Sequence, residues 1–289
     1  MGASSPQPPA AVPDFTPFVV AQPRDRYTAE DHATWATLFR RQAALLPGRA
    51  CTAFVDGMAR LGMAAAGIPD FERLGDLMEA ASGWRIVAVE GLVPDDAFFA
   101  MLAARRFPVT WWIRAPAQLD YIQEPDAFHD LFGHVPMLMN PVFGDYMAAY
   151  GRGGLKALRL GALQRLARLY WYTVEFGLIR EGDGLRIYGS GIVSSHGEAL
   201  YCLDSPNPNR IGFDLERIMC TRYRIDTFQQ SYFVIDSFDQ LFAATRPDFA
   251  PIYARLRDRA DIGAGEVVPG DRVLQRGAGR DWTADSPDV

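Results

Sequence analysis

The sequence predicts an α+β fold, a predominantly helical single domain with minor short β-strands. Three observations lead there: helical apolar periodicity dominates the middle of the chain, strand-like segments are short and scattered, and no internal repeat or long linker divides the 289 residues. Hydrophobic residues make up 49%, enough for a substantial core, and the charged share of 22% is ordinary for a globular protein.

Thr28 can cap a first helix whose apolar face carries Trp35, Leu38, Phe39 and Leu46, and Pro47-Gly48 ends it. Pro69 suits a first helical turn, and Phe71, Leu74, Leu77 and Met78 follow at helical spacing up to Gly83. Residues 84–90 (WRIVAVE) alternate like a strand, 95–106 read as helix, and 108–113 (PVTWWI) read as a second strand. Glu124-Pro125-Asp126 opens a helix carrying two histidines, with Pro125 in its first turn. Residues 155–180 form the longest helical pattern, and 185–189 and 230–235 are short strand candidates. Six prolines mark residues 1–24 as a flexible arm, and the segment 263–289 reads as a loose tail, leaving 25–262 as the folded domain.

Lys plus Arg number 29 against 35 Asp plus Glu, a net charge of −6 that argues against a nucleic-acid partner. No apolar run approaches the length of a membrane span, and the Pro/Ser-rich start has none of the features of a signal peptide, so the expected location is cytoplasmic with no membrane partner. Cys51, Cys202 and Cys220 are odd in number and far apart, which suits reduced thiols rather than a disulfide framework or a zinc-thiolate site.

The chemistry is concentrated at His129 and His134, two of only four histidines. Five residues apart, they would diverge by roughly 140° on an ideal α-helix, so a shared metal needs a π-bulge or a helix that is ending. Gly133 and Pro136 make either plausible. Two neutral imidazoles and one carboxylate would leave open positions, an arrangement suited to non-haem Fe(II) and O₂. The best third ligand is Glu175, a lone acid in an apolar helical stretch (WYTVEFGL) that needs a partner if buried. Taken singly, the histidines could be hydrogen-bonded core residues and the glutamate half of an ion pair, and zinc would accept the same three ligands.

At this point the sequence resembles the aromatic amino acid hydroxylases, in particular the short bacterial phenylalanine hydroxylases. The matching segments are GLVPDDAFF (91–99), WWIR (111–114), YIQEPDAFHDLFGHVP (121–136), LYWYTVEFGLI (169–179), YGSGIVSSHGEALYC (188–202) and SYFVIDSF (231–238), in family order. The resemblance implies the catalytic fold of that family, Fe(II) held by His129, His134 and Glu175, and tetrahydropterin and O₂ as cosubstrates, with an Fe(IV)=O attacking the aromatic ring. It places Arg114 on the substrate carboxylate, where a guanidinium offers two parallel hydrogen bonds. Trp171, one turn before Glu175, would stand near the substrate ring. Ser194 would hydrogen-bond an iron-ligating histidine and lie near the amino acid. Gly91, Leu92, Val93, Phe98, Asp130, Ala167 and Tyr170 would bind the pterin. Asp126, three residues before His129, is placed to orient the metal's water shell, and Glu198 reads as part of a polar network rather than as a fourth ligand.

Ile122-Gln123 replaces a Thr-Pro pair of animal relatives, so side-chain contacts there do not carry over. No regulatory domain fits ahead of the first helix, so a monomer without allosteric activation is expected. Ile225 is apolar where tyrosine hydroxylases resembling this family place an Asp, which favours phenylalanine as substrate. Tryptophan or tyrosine hydroxylation, a zinc hydrolase and a non-catalytic small-molecule binder are the competing readings.

Overall fold

The computed structural model describes residues 12–122 and 124–279. The arm expected over 1–24 and the tail expected over 263–289 therefore lie partly outside the described residues. In chain order the elements are α1 (Ala29–Leu45), α2 (Thr52–Leu61), α3 (Phe71–Ser82), β1 (Arg85–Val89), α4 (Asp95–Ala103), β2 (Arg106–Thr110), a π-helical segment (His129–His134), α5 (Val135–Leu138), α6 (Pro141–Arg159), α7 (Leu163–Tyr170) and a second π-helical segment (Trp171–Glu175). There follow β3 (Leu178–Glu181), β4 (Gly184–Ile187), α8 (Ser190–Val193), α9 (His196–Asp204), β5 (Asn209–Gly212), α10 (Leu215–Cys220), β6 (Ser231–Ile235), α11 (Phe238–Thr245), α12 (Ala250–Leu256) and β7 (Val273–Gln275). The α+β, mostly helical expectation holds. β1 and β2 form a parallel pair, and a five-stranded mixed sheet runs in the order β4-β3-β6-β5-β7.

Local chemistry explains most boundaries. Thr28 caps α1 in a reciprocal box: its hydroxyl accepts from the Asp31 N–H at 3.1 Å, and the Asp31 carboxylate accepts from the Thr28 N–H at 2.8 Å. Asp70, not Pro69, starts α3, accepting from the N–H groups of Glu72 and Arg73. The second strand runs over 106–110 rather than 108–113, because Arg105 turns the chain with φ 56° directly before it. The pattern over 155–180 is not one helix. Gly161, at φ 64°, separates α6 from α7, and the last residues belong to β3.

Two close approaches seat the site. α6 packs on α4 so tightly that a Cβ at Gly154 would lie 2.1 Å from a Phe99 ring carbon. A Cβ at Gly133 would lie 2.8 Å from the Ser190 carbonyl oxygen, so a glycine is what lets α8 lie against the histidine-bearing segment. Beneath that segment is an aromatic stack: Phe128 and Phe132 lie 4.8 Å apart, Trp35 meets Phe128 at 5.3 Å, and Phe39 meets Phe132 at 5.6 Å. The apolar face read from α1 is thus the floor of the site.

The described residues near either end are more firmly attached than their composition suggests. Val20 bridges Ala88 of β1, and the Gln22 side chain bonds the backbone of Pro69 and Phe71 at 2.9 Å each. At the other end β7 pairs with β5, and the Asp271 carboxylate forms a buried ion pair with Arg217 at 2.8 Å. The described part of the expected tail is therefore structured, because Asp271 supplies the counter-charge that Arg217 of α10 needs once buried. Asp271→Ala leaves that guanidinium without its carboxylate and should cost about 3 kcal/mol of stability, read as a lower urea midpoint.

Candidate metal centre

The histidine-bearing helix starts at Ala127, not within the Glu124-Pro125 turn. Asp126 caps it, accepting from the His129 N–H at 3.0 Å, and Pro125 stays outside. From His129 to His134 the helix is π-wound. Bonds from i to i+5 widen the turn and bring residues five apart toward one face, so most of the divergence expected of an α-helix is removed. The two Nε2 atoms lie 3.1 Å apart. The second π segment ends α7 with the Phe176 N–H bonded to the Trp171 carbonyl at 2.9 Å, five residues back. It turns Glu175 toward the histidines, with Oε1 3.2 Å from His134 Nε2 and Oε2 3.6 Å from His129 Nε2.

All three ligand atoms lie within 4.8 Å of one another. Three donors about 2.1 Å from one ion sit roughly 3.0 Å apart in a facial octahedral set and slightly more in a tetrahedral one. The separations fit either geometry, so the donor set accepts an iron(II) ion without rearrangement.

The protonation state is set by the surroundings. The Ser194 hydroxyl donates to the Ser190 carbonyl at 2.7 Å, so its oxygen, 3.0 Å from His129 Nδ1, accepts the Nδ1–H. That leaves the Nε2 lone pair directed at the site. Two Nε2 atoms at 3.1 Å repel unless a cation or proton lies between them, which is an independent sign that the site is built for one. Burial lowers the pKa of His129 to about 4. Burial alone would raise that of Glu175, but the two imidazoles and a 2.9 Å hydrogen bond from the Ser190 hydroxyl outweigh it and hold the acid at about 2. A neutral imidazole and an ionised carboxylate are the forms that ligate.

Arg114 is buried 2.9 Å from both oxygens of Asp126, donating from Nε and Nη2, and the same carboxylate accepts from the Arg114 N–H. Asp126 is thereby saturated by Arg114 and the helix start, so it orients the guanidinium and His129 rather than a water shell. The pair engages Nε and Nη2 and not Nη1. Asp130 Oδ2 accepts from the Thr110 N–H at 2.8 Å, at the end of β2, and burial raises its pKa to about 7.

The expected pterin-side residues fall on neighbouring elements. Gly91, Leu92 and Val93 form the turn between β1 and α4, with Leu92 77% exposed. Phe98 of α4 meets Tyr170 edge-on at 6.0 Å, and Tyr170 lies 6.4 Å from the His134 ring, so these two adjoin the metal centre. Ala167 is half-buried on the same helix as Tyr170. Trp171 is half-buried four residues before Glu175, stacked on Tyr223 at 4.3 Å and tilted against Phe176 at 4.8 Å. Apart from the serine-glycine run of residues 190–191, nothing local in the sequence points to Ser190 or Tyr223 as site residues. Their partners lie far along the chain.

Fold and site together are those of a mononuclear metal-binding protein in outline, with two histidines and one carboxylate that could hold one ion beside a wall of aromatic side chains. Residues 20–254 match the biopterin-dependent aromatic amino acid hydroxylase family, and the chain belongs to that family. A phenylalanine-4-hydroxylase of Chromobacterium violaceum is 65% identical over 276 residues, spanning 96% of this chain and 93% of its own. A crystal structure of that organism's phenylalanine hydroxylase with iron and phenylalanine bound superposes with a TM-score of 0.87 at 64% identity, covering 90% of this chain and 95% of its own. Another, with iron(III) and oxidised 7,8-dihydrobiopterin, gives 0.87 at 65%, covering 90% and 94%.

Glu198 stands apart from the three ligands. Its Oε1 accepts from the Tyr232 hydroxyl and, at 3.1 Å, from the Gln229 N–H. Burial raises its pKa to about 7. A raised acid in the folded state means stability is lost as pH climbs from the ordinary glutamate range through about 7. Glu198→Gln keeps the acceptor and should flatten that loss, leaving the variant more stable than the parent at pH 8 in denaturant titrations.

Proposed function

We propose that this chain hydroxylates L-phenylalanine to L-tyrosine with Fe(II), a tetrahydropterin and O₂, and that His129, His134 and Glu175 hold the metal. The observation that carries the reading is the convergence of those three ligand atoms within 4.8 Å beside the Trp171 wall and the Arg114–Asp126 pair. Iron and reduced pterin together supply the activation of O₂ that hydroxylating an unactivated ring requires.

The protein's own residues bind and orient. Arg114, locked by Asp126, presents its remaining edge to the substrate carboxylate. Trp171 gives the ring an apolar face. Ser194 keeps His129 in the ligating tautomer, and Ser190 steadies the Glu175 carboxylate. Phe98, Tyr170 and Ala167, with the Gly91–Val93 turn and Asp130, form the pterin side. The iron- and phenylalanine-bound and the dihydrobiopterin-bound relatives support both assignments. Ile225, 58% exposed and two residues from Tyr223, offers no side-chain polar group to a hydroxylated ring, which supports phenylalanine over tyrosine.

We take 25–262 as the catalytic domain, with the described residues on either side packed onto it. The protein is proposed to act as a cytoplasmic monomer on small molecules alone. The three buried, unpaired cysteines and the lack of any described helix long and apolar enough to cross a membrane are in keeping with this.

Iron(II)-loaded protein given phenylalanine, tetrahydropterin and O₂ should form tyrosine, identified by mass and retention. Glu175→Ala should abolish both iron binding and product, and an unchanged rate would sink the assignment. Arg114→Lys keeps the charge but loses the fork, so KM for phenylalanine should rise about 10- to 100-fold, with a smaller effect on kcat.

A further inference from the structure

Behind Trp171 lies a buried polar relay that the reaction as described does not use. The indole Nε1–H donates to Gln229 Oε1 at 2.9 Å. Gln229 is 3% exposed, and every polar group of its side chain is engaged, because Nε2 donates to the Arg224 carbonyl at 3.1 Å. Its backbone N–H donates to Glu198 Oε1 at 3.1 Å, and Tyr232 of β6 donates to the same oxygen. Gln229 is thus held at two points, its side-chain amide by the Arg224 carbonyl and its main-chain N–H by Glu198 of α9, which Tyr232 of β6 holds in turn.

The two kinds of contact on Trp171 do different things. The Tyr223 ring, at 15° to the indole and 4.3 Å away, sets the plane of the indole. Offset stacking is broad and leaves the ring free to slide and turn within that plane. An N–H has a single direction, so the bond to Gln229 removes the remaining freedom. The wall that faces the ring site is therefore held in one position by Gln229, while Glu198 and the Arg224 carbonyl hold Gln229.

We infer that Gln229 is a positioning residue that sets the in-plane orientation of the Trp171 indole and thereby the outline of the wall against which the aromatic ring of the substrate lies. The inference rests on the proposed hydroxylase reading and deepens it. A wall of fixed outline admits a phenyl ring and disfavours a bicyclic one. Loosening the indole weakens binding of the small ring and relaxes discrimination against tryptophan.

The test uses Gln229→Met, which matches the length of glutamine but neither accepts from the indole nor donates to Arg224. It is compared with Trp171→Phe and with the double variant. On full-length, metal-free protein labelled with ¹⁵N-tryptophan, the Trp171 Nε1–H resonance, assigned by its loss in Trp171→Phe, should exchange about 10-fold faster in Gln229→Met, as expected when one hydrogen bond is lost. In iron-loaded protein, KM for phenylalanine should rise about 3- to 10-fold with kcat nearly unchanged, and the preference for phenylalanine over tryptophan should narrow. If Gln229 acts through the indole, adding Gln229→Met to Trp171→Phe should change KM little further. Unchanged indole exchange, or full additivity of the two substitutions, overturns the inference, as does an effect confined to thermal stability. A parent protein that forms no tyrosine instead overturns the hydroxylase reading. The indole exchange remains readable in that case, so the two failures are distinguishable.

Discussion

Everything in this molecule depends on a winding defect. Two imidazoles separated by five positions cannot meet one ion from a regular α-helix, and a helix that stays regular through Glu175 would not end where its carboxylate is needed. In both places the chain adopts π winding, and three ligand atoms come within 4.8 Å. Such winding is less favourable than α and persists where packing over-determines it. Here the packing is visible: Phe128 and Phe132 brace the first segment from below, and α8 closes on it through Gly133.

A second layer prepares the chemistry of the ligands. Ser194 and Ser190 sit at either end of α8 and act on different ligands, the first on the His129 tautomer and the second on the Glu175 carboxylate. One short element thus holds two of the three metal-binding groups in their ligating states. The Ser190 hydroxyl offsets part of the cost of burying the Glu175 carboxylate, and the lone pairs turned toward one point call for a cation between them.

The Arg114 guanidinium is tied to the histidine-bearing segment through Asp126. Its carboxylate holds the Arg114 guanidinium and caps the segment that begins with His129. A displacement of either group is felt by the other, which suits an enzyme of the proposed kind, where the amino acid and the activated oxygen have to be aligned. Trp171 and Glu175 are linked in the same way, lying in one π segment.

Much of this was legible in the residues alone. The capping box at Thr28, the buried face of α1, the strand over 85–89 and the requirement for a distorted helix between His129 and His134 all follow from short-range geometry. The pairing of Glu175 with the two histidines comes from the resemblance of the motif segments to a known family rather than from local geometry. What the chain could not reveal on its own is every relation between residues far apart in sequence. The order of the five-stranded sheet, the break at Gly161, the attachment of 263–279 through Asp271, and the placing of Ser190, Tyr223 and Gln229 around the site belong to that class. Periodicity and capping report interactions within a few residues, where backbone geometry fixes the distance. A contact across 58 positions, such as that from Trp171 to Gln229, leaves no local pattern, because only the packing of the whole chain determines which polar group a buried indole will find.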